Sequence, residues 1–302
     1  MPTFELMTKW PRVKCERASI YQLASPRADR KSLVEVARRF GLSGDKKTGS
    51  LYEDARLTTY SEGSREVVIH HASGGVRFHD KARWQVDDGV SHVEFDDATA
   101  TRMARRYVEA HEVVALSECK VLRVTRLNVG TAEVRTRRVQ ERVIDVGVAF
   151  TRVVDGIPVE GPGGKVMVYI DHKGELTGID RLWRSAGKVR MKSVPLRSPE
   201  AVQEEAVRQW TGPGSGRVTV EDARFGYFEH GWDVSQRYLQ PAYVLSLAIM
   251  ATEGHSAGRL VARSEFWGAA AEKSPERLAP RKPKTEPQAS RRSYRSRDTT
   301  SA

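Results

Sequence analysis

A short amphipathic helix with an Ala-Arg-Arg-aromatic signature recurs along this chain, each time followed by strand-like segments that run to a tryptophan, and this recurrence limits the fold more than any other feature. The signature reads Ala37-Arg38-Arg39-Phe40, then Ala104-Arg105-Arg106-Tyr107, with a degraded third copy at Ala206-Val207-Arg208-Gln209-Trp210. The closing aromatics are Trp84, Trp183 and Trp267. Solenoid repeats stack at a nearly fixed period, which these unequal units lack, so the pattern predicts duplication and drift. The predicted fold class is α+β: tandem units of one helix packed on an antiparallel β-meander. The unit boundaries are 1–93, 94–197 and 198–272, with a disordered basic C-terminal tail over 273–302.

Local signals place the elements. Ser25-Pro26 reads as a helix opening and Gly41 as its stop, with Leu33, Val36, Ala37 and Phe40 forming one apolar stripe. A hairpin follows, in which a two-residue Gly74-Gly75 turn would pair Ser73 with Val76, His71 with Phe78 and Ile69 with Asp80. Val67, Ile69, Val76 and Phe78 then share the core face, and Asp80 joins them unless it lies at the sheet margin or a bulge intervenes. Asp96-Asp97 caps the second helix, whose stripe is Met103, Tyr107 and Ala110. Strands are expected at 120–128, 141–154, 165–171 and 175–183, joined by turns such as Asp155-Gly156 and Gly161-Pro162-Gly163-Gly164. Ser198-Pro199-Glu200 opens the third helix, with strands at 217–228, 239–250 and 258–266.

Charge is unevenly placed. From Lys273 onward nine basic residues face three acidic ones, which is just over half of the chain's net charge of +11. That tail has few large apolar residues to offset the entropy of ordering, so disorder is expected there. Its arginines Arg291, Arg292, Arg295 and Arg297 are candidate anion contacts, through which nucleic acid or an anionic surface would bind by counterion release. Two cysteines, Cys15 and Cys119, give no disulfide framework and no thiolate cluster. No segment reaches the ~18 to 20 apolar residues of a membrane span, and residues 1–20 carry no secretory apolar core, so the sequence as written reads as cytoplasmic.

Motifs of catalysis fail at specific positions. His111-Glu112-Val113-Val114-Ala115 begins like a zinc-peptidase helix, but Ala115 stands where the second histidine belongs. Gly163-Gly164-Lys165 lacks both the glycine of a phosphate loop, at Val159, and its hydroxyl residue, at Val166. In the hairpin register above, His70 and His79 lie opposite each other on the outer face, a two-ligand fragment of a metal site. Neither a catalytic set, a cofactor motif nor a complete metal site is expected. Tyr227, Phe228, Trp232 and Tyr238 are candidate partner contacts because together they could line an apolar concave patch.

The segment from Phe150 through Asp155-Gly156-Ile157-Pro158-Val159-Glu160-Gly161-Pro162-Gly163-Gly164 to Lys165 resembles the PepSY-like propeptide modules of thermolysin-type and fungalysin-type metallopeptidases, and free-standing bacterial proteins of the YycI type. Arg237-Tyr238-Leu239-Gln240-Pro241-Ala242-Tyr243-Val244 echoes the start of their last strand. The resemblance covers about residues 94–266. It implies a helix packed across an antiparallel sheet, a role in binding or restraining another protein or peptide in trans, and an extracytoplasmic location if a preceding segment supplies export. Three functional readings follow: a non-catalytic protein- or ligand-binding scaffold, a nucleic-acid or anionic-surface binder acting through the tail, and an accessory protein or enzyme of a biosynthetic pathway.

Overall fold

The computed structural model describes residues 3–13, 15–84, 92–133, 138–209, 216–251, 260–278 and 284–285. Among the described residues three α-helices form, α1 (Arg30–Arg39), α2 (Asp97–Ala110) and α3 (Pro199–Arg208). The strands are β1 (Thr3–Leu6), β2 (Arg17–Leu23), β3 (Ser50–Glu53), β4 (Leu57–Glu62), β5 (Arg65–His70), β6 (Val76–Asp80), β7 (Cys119–Glu133) and β8 (Arg138–Val154). They continue as β9 (Ile157–Glu160), β10 (Lys165–Asp171), β11 (Leu176–Leu182), β12 (Ala186–Pro195), β13 (Gly216–Phe228), β14 (Tyr238–Ala251), β15 (Leu260–Ala269) and β16 (Lys284–Thr285).

Each helix start has a side-chain cap. Asp29 accepts from the Ser32 amide at 2.8 Å, Asp96 from the Thr99 amide at 2.8 Å, and Ser198 from the Ala201 amide at 3.2 Å. Pro199 fills the first position of α3, where its missing N–H costs nothing. Ser25-Pro26 does not open α1; the turn begins three residues later, at Asp29, and Ser25 and Pro26 line a cavity instead. Gly41 ends α1 with a left-handed φ of 73°. In α2 the stripe is one position round from Met103–Tyr107–Ala110, with Ala100, Ala104 and Val108 fully covered. The two alanines let the helix lie close to the sheet, and Tyr107 reaches over its edge to donate to the Gly174 carbonyl at 2.7 Å.

The α+β plan of tandem helix-on-meander units is corrected by the sheet. Sixteen strands hydrogen-bond into one mixed network, against three α-helices among the described residues, so the protein is mostly β. One lobe runs β3-β4-β5-β6-β11-β10-β8-β7, and the other runs β12-β2-β14-β13, with β1 on β13 and β15 and β16 beyond β14. Short β9 joins them, antiparallel to β8 and parallel to β13. Two long-range choices break the unit plan. The early strand β2 pairs with β12 and β14 of the far lobe. In the first lobe, Leu33, Ala37 and Phe40 of α1 and Ala100, Ala104 and Val108 of α2 share one core over Val67, Phe78, Val148 and Ile179. Residues 1–93 and 94–197 both feed that core.

Of the expected tail, residues 273–278 and 284–285 fall among the described residues. Leu278 is buried with Phe228, Ala242, Val244 and Trp267, Gln240 donates to the Glu276 carbonyl at 2.6 Å, and β16 pairs with β15. One leucine and a few backbone partners suffice to hold the first residues of a segment that composition marks as disordered. Among the described residues, no helix is long and apolar enough to cross a membrane.

Candidate functional site

Where the C-terminal ends of α1 and α2 converge over the first lobe, a cavity of about 350 Å³ remains. Its floor is the helix-facing side of the sheet, at Val76 of β6 and Ile179 and Arg181 of β11. Val36, Arg39 and Phe40 form the α1 wall, and His111, Glu112 and Val113 the α2 wall. Phe40 stacks between Phe78, with ring centroids 4.4 Å apart, and His111, at 4.8 Å. His111 Nδ1–H donates to the Arg39 carbonyl at 2.6 Å, which ties the two helix ends together and commits that nitrogen. Trp183, Arg184 and Ser185 close one side.

Arg181 gives the cavity its character. Register sets it opposite Val76 and Val166, both buried, so its side chain points to the helix side. One nitrogen, Nη2, donates to the Gly74 carbonyl at 2.9 Å, whereas Nε is buried without a hydrogen-bond partner. Among the described residues no carboxylate forms an ion pair with it. Burial holds its pKa below the usual guanidinium range, the positive charge of Arg39 pushes the same way, and Glu229 opposes both. A guanidinium nevertheless stays protonated in a protein. The cavity therefore presents a cation with unspent donors beside an apolar surface of Val36, Phe40, Val76, Ile179 and Trp183. That is the recognition set for an anion carried on an apolar body.

No protein-family model and no curated protein matches this chain. It is similar to an uncharacterized protein from Eubacterium rectale, whose crystal structure aligns with a TM-score of 0.50 and 11% identity over 88% of this chain and 86% of that one. The likeness concerns the fold alone.

The aromatic residues that the sequence offers as partner contacts do not share one surface. Tyr227 is fully buried, its hydroxyl donating to the Ser19 carbonyl at 2.9 Å, and burial together with the Asp155 carboxylate pushes its pKa up. Phe228 is fully buried against Trp267, 4.5 Å between centroids. Tyr238 is half-buried beside Ile20, Val194 and Ala271. Trp232 is half-buried in a different place: it lies under the Arg77 guanidinium, 4.5 Å from the ring centroid, and against His70 at 4.8 Å. A Cβ on Gly75 would fall 2.5 Å from that ring, so glycine is needed for Trp232 to seat there. Trp232 thus braces the turn whose Ser73 and Gly74 line the cavity. Arg291, Arg292, Arg295 and Arg297 lie outside the described residues.

The histidine pair is not formed. Val67 stands opposite Phe78, Ile69 opposite Val76 and Arg65 opposite Asp80, four positions from the register of a two-residue turn, and His79 faces Glu66. An even slip keeps every side chain on its face, which is why Val67, Ile69, Val76 and Phe78 are all buried in either register. The longer turn puts Asp80 at the sheet margin, where Ser64 donates to it at 2.7 Å and Arg83 pairs with it at 3.6 Å. Sequence reasoning misses Arg181, although a signal exists: in Ile179-Asp180-Arg181 a charge falls on the same strand face as a core isoleucine.

Proposed function

We propose that the protein is a non-catalytic ligand-binding scaffold whose cavity beside Arg181 takes a small carboxylate on an apolar ring or chain. The observation that carries this reading is the half-buried Arg181 guanidinium, with a covered, unpartnered Nε and no carboxylate ion-paired to it among the described residues, beside the apolar side chains of Val36, Phe40, Val76 and Ile179 in a cavity that Glu35 and Glu112 also line. A buried donor without an acceptor costs ~1–3 kcal/mol, and a ligand carboxylate would relieve that cost while its hydrocarbon covers Phe40, Val76 and Ile179. Arg39 on the α1 wall is paired with Glu112 at 3.8 Å, so the charge offered to an anion is that of Arg181. The resemblance of residues 150–165 to PepSY-like modules supports a binding role as well.

Hexanoate and phenylacetate, with hexanamide and phenylacetamide as uncharged counterparts, test the reading. Trp183 at the cavity wall supplies a fluorescence signal, and thermal melting supplies an independent one. The acids are expected to give a saturable quench and a higher Tm, the amides neither, and Arg181→Met is expected to abolish the response to the acids. Equal responses to acids and amides, or a response that survives in Arg181→Met, would overturn the proposal.

A further inference from the structure

The strands that end the sheet network are closed in different ways. β1 and β3 have four residues each and β16 two, and β12 meets β2 through three register irregularities. Shortness and irregular pairing are the usual devices that stop an edge from recruiting another strand. β7 is fifteen residues long and among the described residues pairs only with β8, leaving its other edge without a neighbouring strand. Register shifts fall beside Leu122 and between Leu127 and Asn128, with a regular run from Arg123 to Leu127 between them. Leu122, which the first shift leaves without a pairing partner, and Leu127 at the second are 52% and 53% exposed, a high value for leucine. Lys120, Arg123 and Arg126 give the same strand positive charge, and among the described residues only Arg126 of these is ion-paired, to Asp97 at the start of α2.

We infer that the free edge of β7 docks an extended acidic segment of a partner protein, added as a further strand of the first lobe. Backbone hydrogen bonds along the edge would supply affinity, and alternate side chains would supply selection. Arg123 and Leu127 share one face of β7, so along the matching face of the incoming strand carboxylates meet Lys120 and Arg123 and apolar residues further on meet Leu127. Charge decides against a second copy of this chain. Two β7 edges paired with each other would bring lysine and arginine against lysine and arginine, and like charges across a strand pair are destabilising. An acidic strand turns the same charges from a barrier into the recognition element. This inference does not depend on the cavity.

The test uses the full chain and a fluorescent synthetic peptide in which threonine alternates with glutamate in one half and with valine in the other, with a counterpart that has lysine for glutamate. Binding is read by anisotropy and the docking place by hydrogen exchange. The expected result is binding of the acidic peptide only, slowed exchange within Cys119–Glu133, and affinity at least about tenfold weaker in the double variant Lys120→Glu/Arg123→Glu. Lys188→Glu/Arg190→Glu makes the same change in net charge on β12 and should bind like wild type. Equal binding of the lysine peptide, an equal loss in the β12 variant, no acidic-peptide binding by the folded protein, or slowed exchange elsewhere would overturn the inference. So would concentration-dependent dimerisation that protects β7, because a second copy would then be the occupant.

Discussion

Arg181 and Arg184 stand three residues apart, and the fold treats them in opposite ways. Arg184 reaches into the far lobe, where its Nη1 meets Glu229 Oε1 at 3.2 Å and its own backbone amide donates to the same oxygen at 2.9 Å. Its guanidinium also donates to the carbonyls of His230 at 2.8 Å, Gly231 at 2.9 Å and Val234 at 2.5 Å. The Arg184 side chain is 2% exposed and that of Glu229 fully covered. Burial pushes the Glu229 carboxyl upward in pKa, and the charges of Arg184 and Arg152 pull it back. Arg152 locks the arrangement, donating to the Arg184 carbonyl at 2.8 Å, pairing with Glu118 at 2.9 Å and lying over Trp183. Arg184 has its countercharge built into the chain, whereas the countercharge of Arg181 must come from outside. The first arrangement joins two lobes, and the second leaves a place for a ligand.

The largest effect expected from breaking this contrast comes at Glu229. Glu229→Ala would leave the Arg184 guanidinium buried without its countercharge, which costs ~3–5 kcal/mol. Urea unfolding should show that loss in the transition midpoint, and a loss below about 1 kcal/mol would mean that water reaches Arg184 freely. Next comes Gly163, whose amide donates to the Glu229 carbonyl at 2.9 Å. A Cβ there would stand 2.6 Å from both Glu229 Cγ and the His230 carbonyl oxygen. Gly163→Ala must push backbone apart at the lobe junction, and a cost of ~1–3 kcal/mol is expected in the same measurement.

A pH dependence sharpens the same side of the comparison. Burial, then the charge of Arg184, pull the His230 pKa down from 6.5 to about 4. The unfolded chain takes up this proton near pH 6.5 and the folded protein resists it until about pH 4. The stabilisation is therefore complete above 6.5 and lost as pH falls through that window. His230 is only half-buried, so the expected loss is about 2 kcal/mol, less than the full shift would give. His230→Asn should flatten the stability profile between pH 6.5 and 4 relative to wild type, and superimposable profiles would remove His230 from the junction's electrostatics.

Local chemistry is legible in this sequence, and long-range partnership is not. The bounds of β10, the caps at Asp96 and Ser198 and the stop at Gly41 follow from residue type and spacing, because each is decided within one turn or one strand. β4 is hidden because Leu57-Thr58-Thr59-Tyr60-Ser61-Glu62 is mostly polar, although Thr58 and Tyr60 are both buried. β9 reads as part of a turn, since Pro158 sits inside it and four residues give no periodicity; its role as the bridge between lobes depends on β13, far along the chain. Nothing local tells β2 to choose β14. The site is harder still, because Arg181 differs from Arg184 only in what the distant Glu229 is close enough to reach.

The smallest change in stability is expected at Arg181, and it is the most discriminating. Arg181→Met removes a half-buried charge and its orphaned Nε while keeping an unbranched apolar side chain in the cavity with Val36 and Ile179, so its effect should lie within about 1 kcal/mol of zero, toward stabilisation. The same variant should lose the Tm rise with hexanoate. Glu229→Ala should do the reverse, unfolding more easily while the folded protein still answers to hexanoate, because its carboxylate points into the lobe junction and not into the cavity. Urea and ligand-shift measurements on both variants therefore form a crossed pair. If Arg181→Met falls in stability as far as Glu229→Ala, Arg181 is a structural residue like its neighbour three positions on, and the cavity loses the group that would bind an anion.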